Sequence, residues 1–132
     1  MKEATVRVAK HQWAGLATAL IVLLSLYLLL APHPVGGGKA PDWVGHLVLF
    51  FTLGTSTGLL VRLRSAASWR RGFVLGLIAM ICYGPLTEVA QGFTGRSPEW
   101  RDAAVDLIAA LPAFLVAADA RRLFASSGQR GR

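Results

Sequence analysis

The chain has 132 residues, of which 54% are hydrophobic and only 16% are charged. A soluble domain carries about 25% charged residues, and one of this length has little interior in which to bury such an apolar excess. The composition therefore argues against a soluble protein. The net charge of +7 does not indicate nucleic acid as a partner, because the basic residues lie between apolar runs and form no basic patch with interleaved aromatics.

Four apolar segments follow one another along the chain, and the first of them contains no charged residue. As a helix it would extend about 28 Å, close to the thickness of the hydrocarbon core of a bilayer. We predict a single all-α membrane domain over 1–132, with four transmembrane helices in an antiparallel bundle. The predicted spans are 13–31, 44–61, 72–91 and 102–118.

Lysine and arginine are distributed unequally among the segments that connect these spans. The segments 1–12, 62–71 and 119–132 contain three, four and four of them, whereas 32–43 and 92–101 contain only three between them. Short cytoplasmic segments of membrane proteins are enriched in these residues. We therefore expect both termini to be cytoplasmic and 92–101 to lie outside.

Glycines and a proline inside the spans predict how the helices pack. Gly54 and Gly58, like Gly72 and Gly76, are four residues apart, a spacing that allows two helix backbones to approach closely, although a glycine-rich chain also produces it by chance. Pro85 leaves one backbone carbonyl without its helical partner, which neighbouring polar groups can satisfy. A kink there can turn the following polar residues inward or serve packing alone.

Ionisable residues inside apolar spans point to a site, because they are costly in hydrocarbon unless they find a partner or water. His46, Glu88 and Asp106 are of this kind, and the helical rise places all three at one depth, near the outer surface. The sequence thus predicts a polar pocket that is shared by three helices and open to the outside. Gln91 and Asp102 at the helix ends and Asp42 before the second span complete the candidate set.

Structural explanations compete with a functional one for the two central residues. Glu88 can act on a ligand or can pair with Arg96 or Arg101 of the outer segment. His46 can bind a ligand or transfer a proton, or it can hydrogen-bond to Asp42 or Glu88 and hold the second and third helices together. Both explanations remain open from the sequence.

Arg96 and Asp102 also have structural interpretations beside the functional one. The planar guanidinium of Arg96 can bind a lipid phosphate or can hold the loop to Asp102. Asp102 stands where the fourth helix is predicted to begin, so its carboxylate can be an N-cap. A metal site made of His46, Glu88 and the aspartates is conceivable, because imidazole and carboxylate groups suit several divalent ions. A compact metal motif such as H-E-x-x-H is absent from the sequence, however, so neither a metal nor another cofactor is expected.

Two blocks of the sequence resemble the VanZ-like family of small bacterial membrane proteins. They are D-W-V-G-H-L-V-L-F-F-T-L-G at 42–54 and Y-G-P-L-T-E-V-A-Q-G-F-T-G-R-S-P-E-W-R-D-A-A-V-D at 83–106. The resemblance carries the family's polar pattern onto six positions of this chain: Asp42, His46, Glu88, Gln91, Arg96 and Asp102. The chain departs from the pattern at Trp43, where the family usually has lysine, at Asp106, where it has asparagine, and at Ala109 and Ala113, where it has glycines.

The resemblance implies a multi-pass protein of the bacterial cytoplasmic membrane, and the family is named for an accessory factor of glycopeptide (teicoplanin) resistance. We expect the polar pocket to bind an anionic lipid or a lipid-linked wall precursor through Asp42, His46, Glu88, Gln91, Arg96, Asp102 and Asp106. The alternative is a small intramembrane acid-base enzyme that acts on a phosphorylated or glycosylated lipid, with Glu88, His46 and Asp106 as the catalytic groups. The sequence leaves the ligand and the oligomeric state open.

Overall fold

The computed structural model of the chain describes residues 2–31, 42–64 and 66–120, which fold into four helices. They are α1 (Lys2–Leu30), α2 (Asp42–Arg62), α3 (Ala66–Phe93) and α4 (Trp100–Ala117). The all-α prediction is confirmed for this part of the chain. All four helices begin before the apolar runs from which they were predicted, most clearly α1 and α3, which begin at Lys2 and Ala66 where the predicted spans began at 13 and 72.

Three of the helices are long and apolar enough to cross a membrane, over His11–Leu30, Trp43–Arg62 and Ala67–Phe93. The fourth, α4, has 18 residues, three of which are charged (Arg101, Asp102 and Asp106), and it does not meet the same description. Large apolar side chains cover the outer surface; Trp13, Leu23 and Val116, for example, are 62–81% exposed. Such a surface is typical of a protein whose solvent is lipid.

The contacts between helices show that consecutive helices run in opposite directions. His46 near the start of α2 lies beside Asp106 near the start of α4, so these two helices are parallel. Tyr83 in the later part of α3 bonds to Ser25 in the later part of α1, which makes that pair parallel as well. The start of α2 meets the end of α3, where His46 approaches Glu88. The ends of α1 and α3 and the starts of α2 and α4 therefore lie together, and the candidate site is at this end of the bundle.

Glycine allows α2 and α4 to pack with their backbones in contact, and this pair has the most extensive interface. A Cβ atom at Gly54 would overlap the backbone of Ala110, and one at Gly58 would lie 2.6 Å from the carbonyl oxygen of Phe114. The predicted close approach at these two glycines is thus present. Gly72 instead lies against the side chain of Arg64, so the second glycine pair does not mediate contact between helix backbones.

Aromatic side chains fill the end of the bundle away from the candidate site. The rings of Trp69, Phe73 and Phe114 are in contact, with centroids 5.1 and 5.4 Å apart. The indole Nε1 of Trp69 donates to the carbonyl oxygen of Ala118 at 3.1 Å, which ties the start of α3 to the end of α4. Helix α3 continues without interruption through Pro85. The aromatic contacts therefore stabilise one end of the fold and leave the polar residues at the other.

Candidate functional site

Four ionisable side chains from three helices meet around His46, and we call them the His46 cluster: His46, Glu88, Asp102 and Asp106. The ring atom Nδ1 of His46 lies 2.9 Å from Oδ1 of Asp106 and 4.0 Å from Oε1 of Glu88. Its other nitrogen, Nε2, lies 3.7 Å from Oδ2 of Asp102. His46 is 3% exposed, and Glu88 and Asp106 are fully buried.

Helix geometry accounts for this convergence. Asp102 and Asp106 are one turn apart in α4, so both carboxylates lie on the same face of that helix. The close contact between α2 and α4 brings this face against His46. On the third side, Gly84 makes space for Asp106, because a Cβ atom there would lie 3.0 Å from Cβ and 3.2 Å from Oδ2 of that residue.

Glu88 is held by the beginning of α4. Its Oε2 accepts a hydrogen bond from the backbone N–H of Glu99 at 2.8 Å, and Glu99 occupies the N-cap position of α4 without a side-chain cap of its own. Helix N-termini have free N–H groups and a partial positive charge, which favour a carboxylate. The amide Nε2 of Gln91 lies 3.5 Å from Oε1 of Glu88, at the outer limit for a hydrogen bond. Glu88 thus joins the end of α3 to the start of α4.

The structure differs from several sequence expectations at the individual residues. The hydrogen-bond partner of His46 is Asp106, so the histidine joins α2 to α4. Glu88, which the sequence offered as a possible partner, lies 4.0 Å from the same nitrogen and makes no hydrogen bond to it. The N-cap role considered for Asp102 is also wrong, because α4 begins at Trp100 and Asp102 lies in its first turn. Its carboxylate instead faces His46.

The remaining predicted residues are placed as follows. Gln91 is buried beside Glu88. Arg96 donates from Nη1 to the carbonyl oxygen of Leu29 at 3.1 Å, which ties the loop between α3 and α4 to the last turn of α1. The side chain of Asp42 lies outside the described residues. The end of α1 therefore lies next to the loop that leads into α4.

The cluster is enclosed, whereas the sequence predicted a pocket open to the outside. Of its four side chains, that of Asp102 is the most exposed, at 13%. Asp102, in the first turn of α4, is therefore the member of the cluster that is nearest to the protein surface.

The charge balance of the cluster is acidic, because three carboxylates surround one imidazole. Two of its buried atoms, Nε2 of His46 and Oδ2 of Asp106, have no hydrogen-bond partner among the described residues. Buried polar atoms of this kind are rare and call for an explanation such as a ligand, an ion or a proton-transfer role. These four side chains by themselves attract a cation or a hydrogen-bond donor, and they would repel the anionic group that the sequence led us to expect.

Sequence reasoning missed other buried polar groups. Ser25 is fully buried in α1 and lies 2.8 Å from the hydroxyl of Tyr83, and Thr87 bonds to the carbonyl oxygen of Gly84. The backbone N–H of Glu99 was missed as a partner of Glu88. A single hydroxyl or a backbone amide is uncharged and leaves little signal in a sequence, so only the arrangement of the helices reveals these contacts.

Searches against models of known protein families, against curated proteins and against solved structures find no match to this chain.

A separate groove of about 460 Å³ lies on the outer face of α2 and α4. It is lined mainly by apolar side chains, including Phe51, Leu59 and Val116, with Arg62 at one end. Its α4 residues begin at Pro112, more than one helical turn beyond Asp106, so the groove is not an entrance to the His46 cluster.

Proposed function

We propose that this chain is a four-span, VanZ-like protein of the bacterial cytoplasmic membrane, with both termini in the cytoplasm. We further propose that it is an accessory factor of the cell envelope, in the manner of glycopeptide (teicoplanin) resistance factors. Support comes from the resemblance at 42–54 and 83–106, from the three apolar helices and from the unequal distribution of basic residues.

The His46 cluster is the functional site of this proposal, and its ligand is the polar headgroup of a lipid or of a lipid-linked wall precursor. The observation that carries the proposal is that Glu88 and Asp106, from two other helices, both lie within 4.0 Å of Nδ1 of His46. Ionisable groups at membrane depth are expensive and typically mark a binding or reaction site.

The chemistry of the cluster specifies the ligand further. Carboxylates and an imidazole accept hydrogen bonds from the hydroxyl and amino groups of a sugar or amino headgroup. Phosphate oxygens of the same ligand would require basic residues such as Arg96 in the loop before α4 and Arg101 in the first turn of α4. A headgroup that carries both hydrogen-bond donors and a phosphate would match the acidic cluster and the basic residues beside it.

The test is the exchange of Glu88 for its amide. In Glu88→Gln, the side chain keeps its shape and an oxygen that accepts from Glu99, but it loses its charge. We expect normal protein levels in the membrane and loss of the resistance or envelope phenotype. The control is Glu99→Gln, which removes an exposed carboxylate from the same region and should retain the phenotype. A wild-type phenotype of Glu88→Gln at normal protein levels would refute the proposal.

A second candidate function is an intramembrane acid-base enzyme, and the bond between His46 and Asp106 favours it. A carboxylate at 2.9 Å from one ring nitrogen fixes the tautomer of the imidazole and leaves the other nitrogen available for proton transfer. Glu88 would then be the second acid-base group. Turnover of a phosphorylated or glycosylated lipid by the purified protein, abolished in His46→Ala, would favour this candidate over binding alone.

A further inference from the structure

The unpartnered nitrogen of His46 leads to a second property of the cluster. Nε2 is buried, has no hydrogen-bond partner among the described residues and lies 3.7 Å from a carboxylate oxygen of Asp102. A nitrogen that carries a proton would be expected to bond to this carboxylate, and one without a proton is an electron-pair donor that faces an anion. The unprotonated state is stabilised by a cation that lies between the two atoms and accepts the electron pair of the nitrogen.

We propose that the cluster is a binding site for a divalent transition-metal ion of the zinc class, with His46, Glu88 and Asp102 as ligands. One nitrogen or oxygen atom from each of these residues lies within 4.8 Å of the others. Ligands at zinc-to-ligand distances of about 2.0–2.2 Å in a tetrahedral site are about 3.4 Å apart, so a small inward movement of the side chains completes the geometry. An imidazole with two carboxylates suits zinc and similar ions.

Asp106 has a defined role in this site, as the group that orients the histidine. A histidine that binds metal through one nitrogen usually donates the other N–H to a carboxylate, which fixes the ring and strengthens the ligand. Asp106 lies 2.9 Å from Nδ1 and leaves Nε2 directed towards Asp102. Asp106, which stands where the VanZ-like pattern has asparagine, thus acts as a positioning residue for His46.

Glu88 is arranged in a corresponding way. Its Oε2 accepts from the backbone N–H of Glu99, and one oxygen of its carboxylate lies within 4.8 Å of the ligand atoms of His46 and Asp102. The ligands come from three helices and are separated by 42 and 14 positions in the chain. For this reason the ligands form no compact motif in the sequence. The expectation that no metal binds rested on the absence of such a motif.

A metal ion would also alter the ligand preference of the site, and this step rests on the proposed function. The cation offsets the excess of carboxylates, and a site with three protein ligands has an open position for an oxygen atom. The bound ion would therefore attract the phosphate oxygens of a headgroup that the acidic cluster alone repels.

The experiment is a metal titration of the full chain, purified in detergent without a histidine tag and stripped with a chelator. We expect one equivalent of Zn²⁺ to bind. Bound Co²⁺ should show the visible absorption of a tetrahedral site with nitrogen and oxygen ligands. His46→Ala and Asp102→Asn should each weaken zinc binding at least tenfold, and Asp106→Asn about 10- to 100-fold, as is typical of groups that orient a ligand. Glu99→Gln is the matched control and should bind as the wild type does.

The folding of each variant is checked by circular dichroism, and Asp106→Asn preserves side-chain shape if His46→Ala does not fold. Failure of the folded wild type to bind zinc would overturn the metal site, as would binding that persists unchanged in both folded His46 and Asp106 variants. Because no lipid is present in the titration, this result is independent of the proposed headgroup binding. Loss of the phenotype in Glu88→Gln without any zinc binding would retain the proposed function and reject the metal.

Discussion

The carboxylate of Asp106 is both a buried part of the helix packing and a hydrogen-bond partner of His46. It is fully buried, one of its oxygens bonds to His46, and its other oxygen has no partner among the described residues. A buried carboxylate is stabilising only when its surroundings compensate for the loss of water. Here the compensation comes from a single imidazole, so the exchange of the carboxylate for an amide should be well tolerated by the fold.

We predict that Asp106→Asn is more stable than Asp106→Ala by about 1–3 kcal/mol, the cost of a buried polar group left without a partner. The amide oxygen of asparagine still accepts from Nδ1 of His46, whereas alanine leaves that nitrogen unsatisfied. The free energy of unfolding in detergent, measured by denaturant titration, gives the difference. Equal stability of the two variants would mean that the hydrogen bond contributes nothing to the fold.

At the scale of the helices, the packing of α2 on α4 determines whether the site forms. The two backbones approach at Gly54 and Gly58, and this approach brings His46 within reach of Asp102 and Asp106. In lipid there is no hydrophobic driving force between helices, so close packing of small residues and interhelical hydrogen bonds provide most of the association energy. A larger side chain at these positions should therefore separate the helices.

We predict that Gly54→Ala destabilises the protein by about 1–3 kcal/mol, as overpacking of a close contact typically does. The added methyl group would overlap the backbone of Ala110, which cannot move aside as the end of a side chain can. Gly45→Ala in the same helix is the control, because a Cβ atom there meets nothing within 4 Å. Its stability should be unchanged or slightly higher, since alanine favours a helix. Similar melting temperatures for both variants would contradict the importance of this contact.

At the scale of the whole molecule, the alternation of helix direction gathers the site at one end of the bundle. The arrangement leaves the ends of α1 and α3 and the starts of α2 and α4 together, whereas Arg62 and Arg70 lie towards the other end. Basic residues concentrate on the cytoplasmic side of membrane proteins. The site should accordingly face away from the cytoplasm.

We predict that a cysteine in place of Ser97, beside the site, is labelled from outside by a reagent that does not cross the membrane. One in place of Ser65, between α2 and α3, should be protected until the membrane is opened. Both are made in a Cys82→Ser background, which removes the natural cysteine. Labelling of residue 65 and protection of residue 97 in intact cells would reverse the orientation and place the site at the cytoplasmic face.

The sequence by itself determined the helical class, the positions of three helices that are long and apolar enough to cross a membrane, and the small set of polar residues that form the site. Apolar runs and buried charges leave a clear signal because each is expensive in the wrong solvent. The pairing of His46 with Asp106, the capping of α4 by Glu88 and the enclosure of the cluster were decided only by tertiary structure. Those contacts depend on which helix faces meet, and small residues such as Gly54 and Gly84 decide this through the space that they leave.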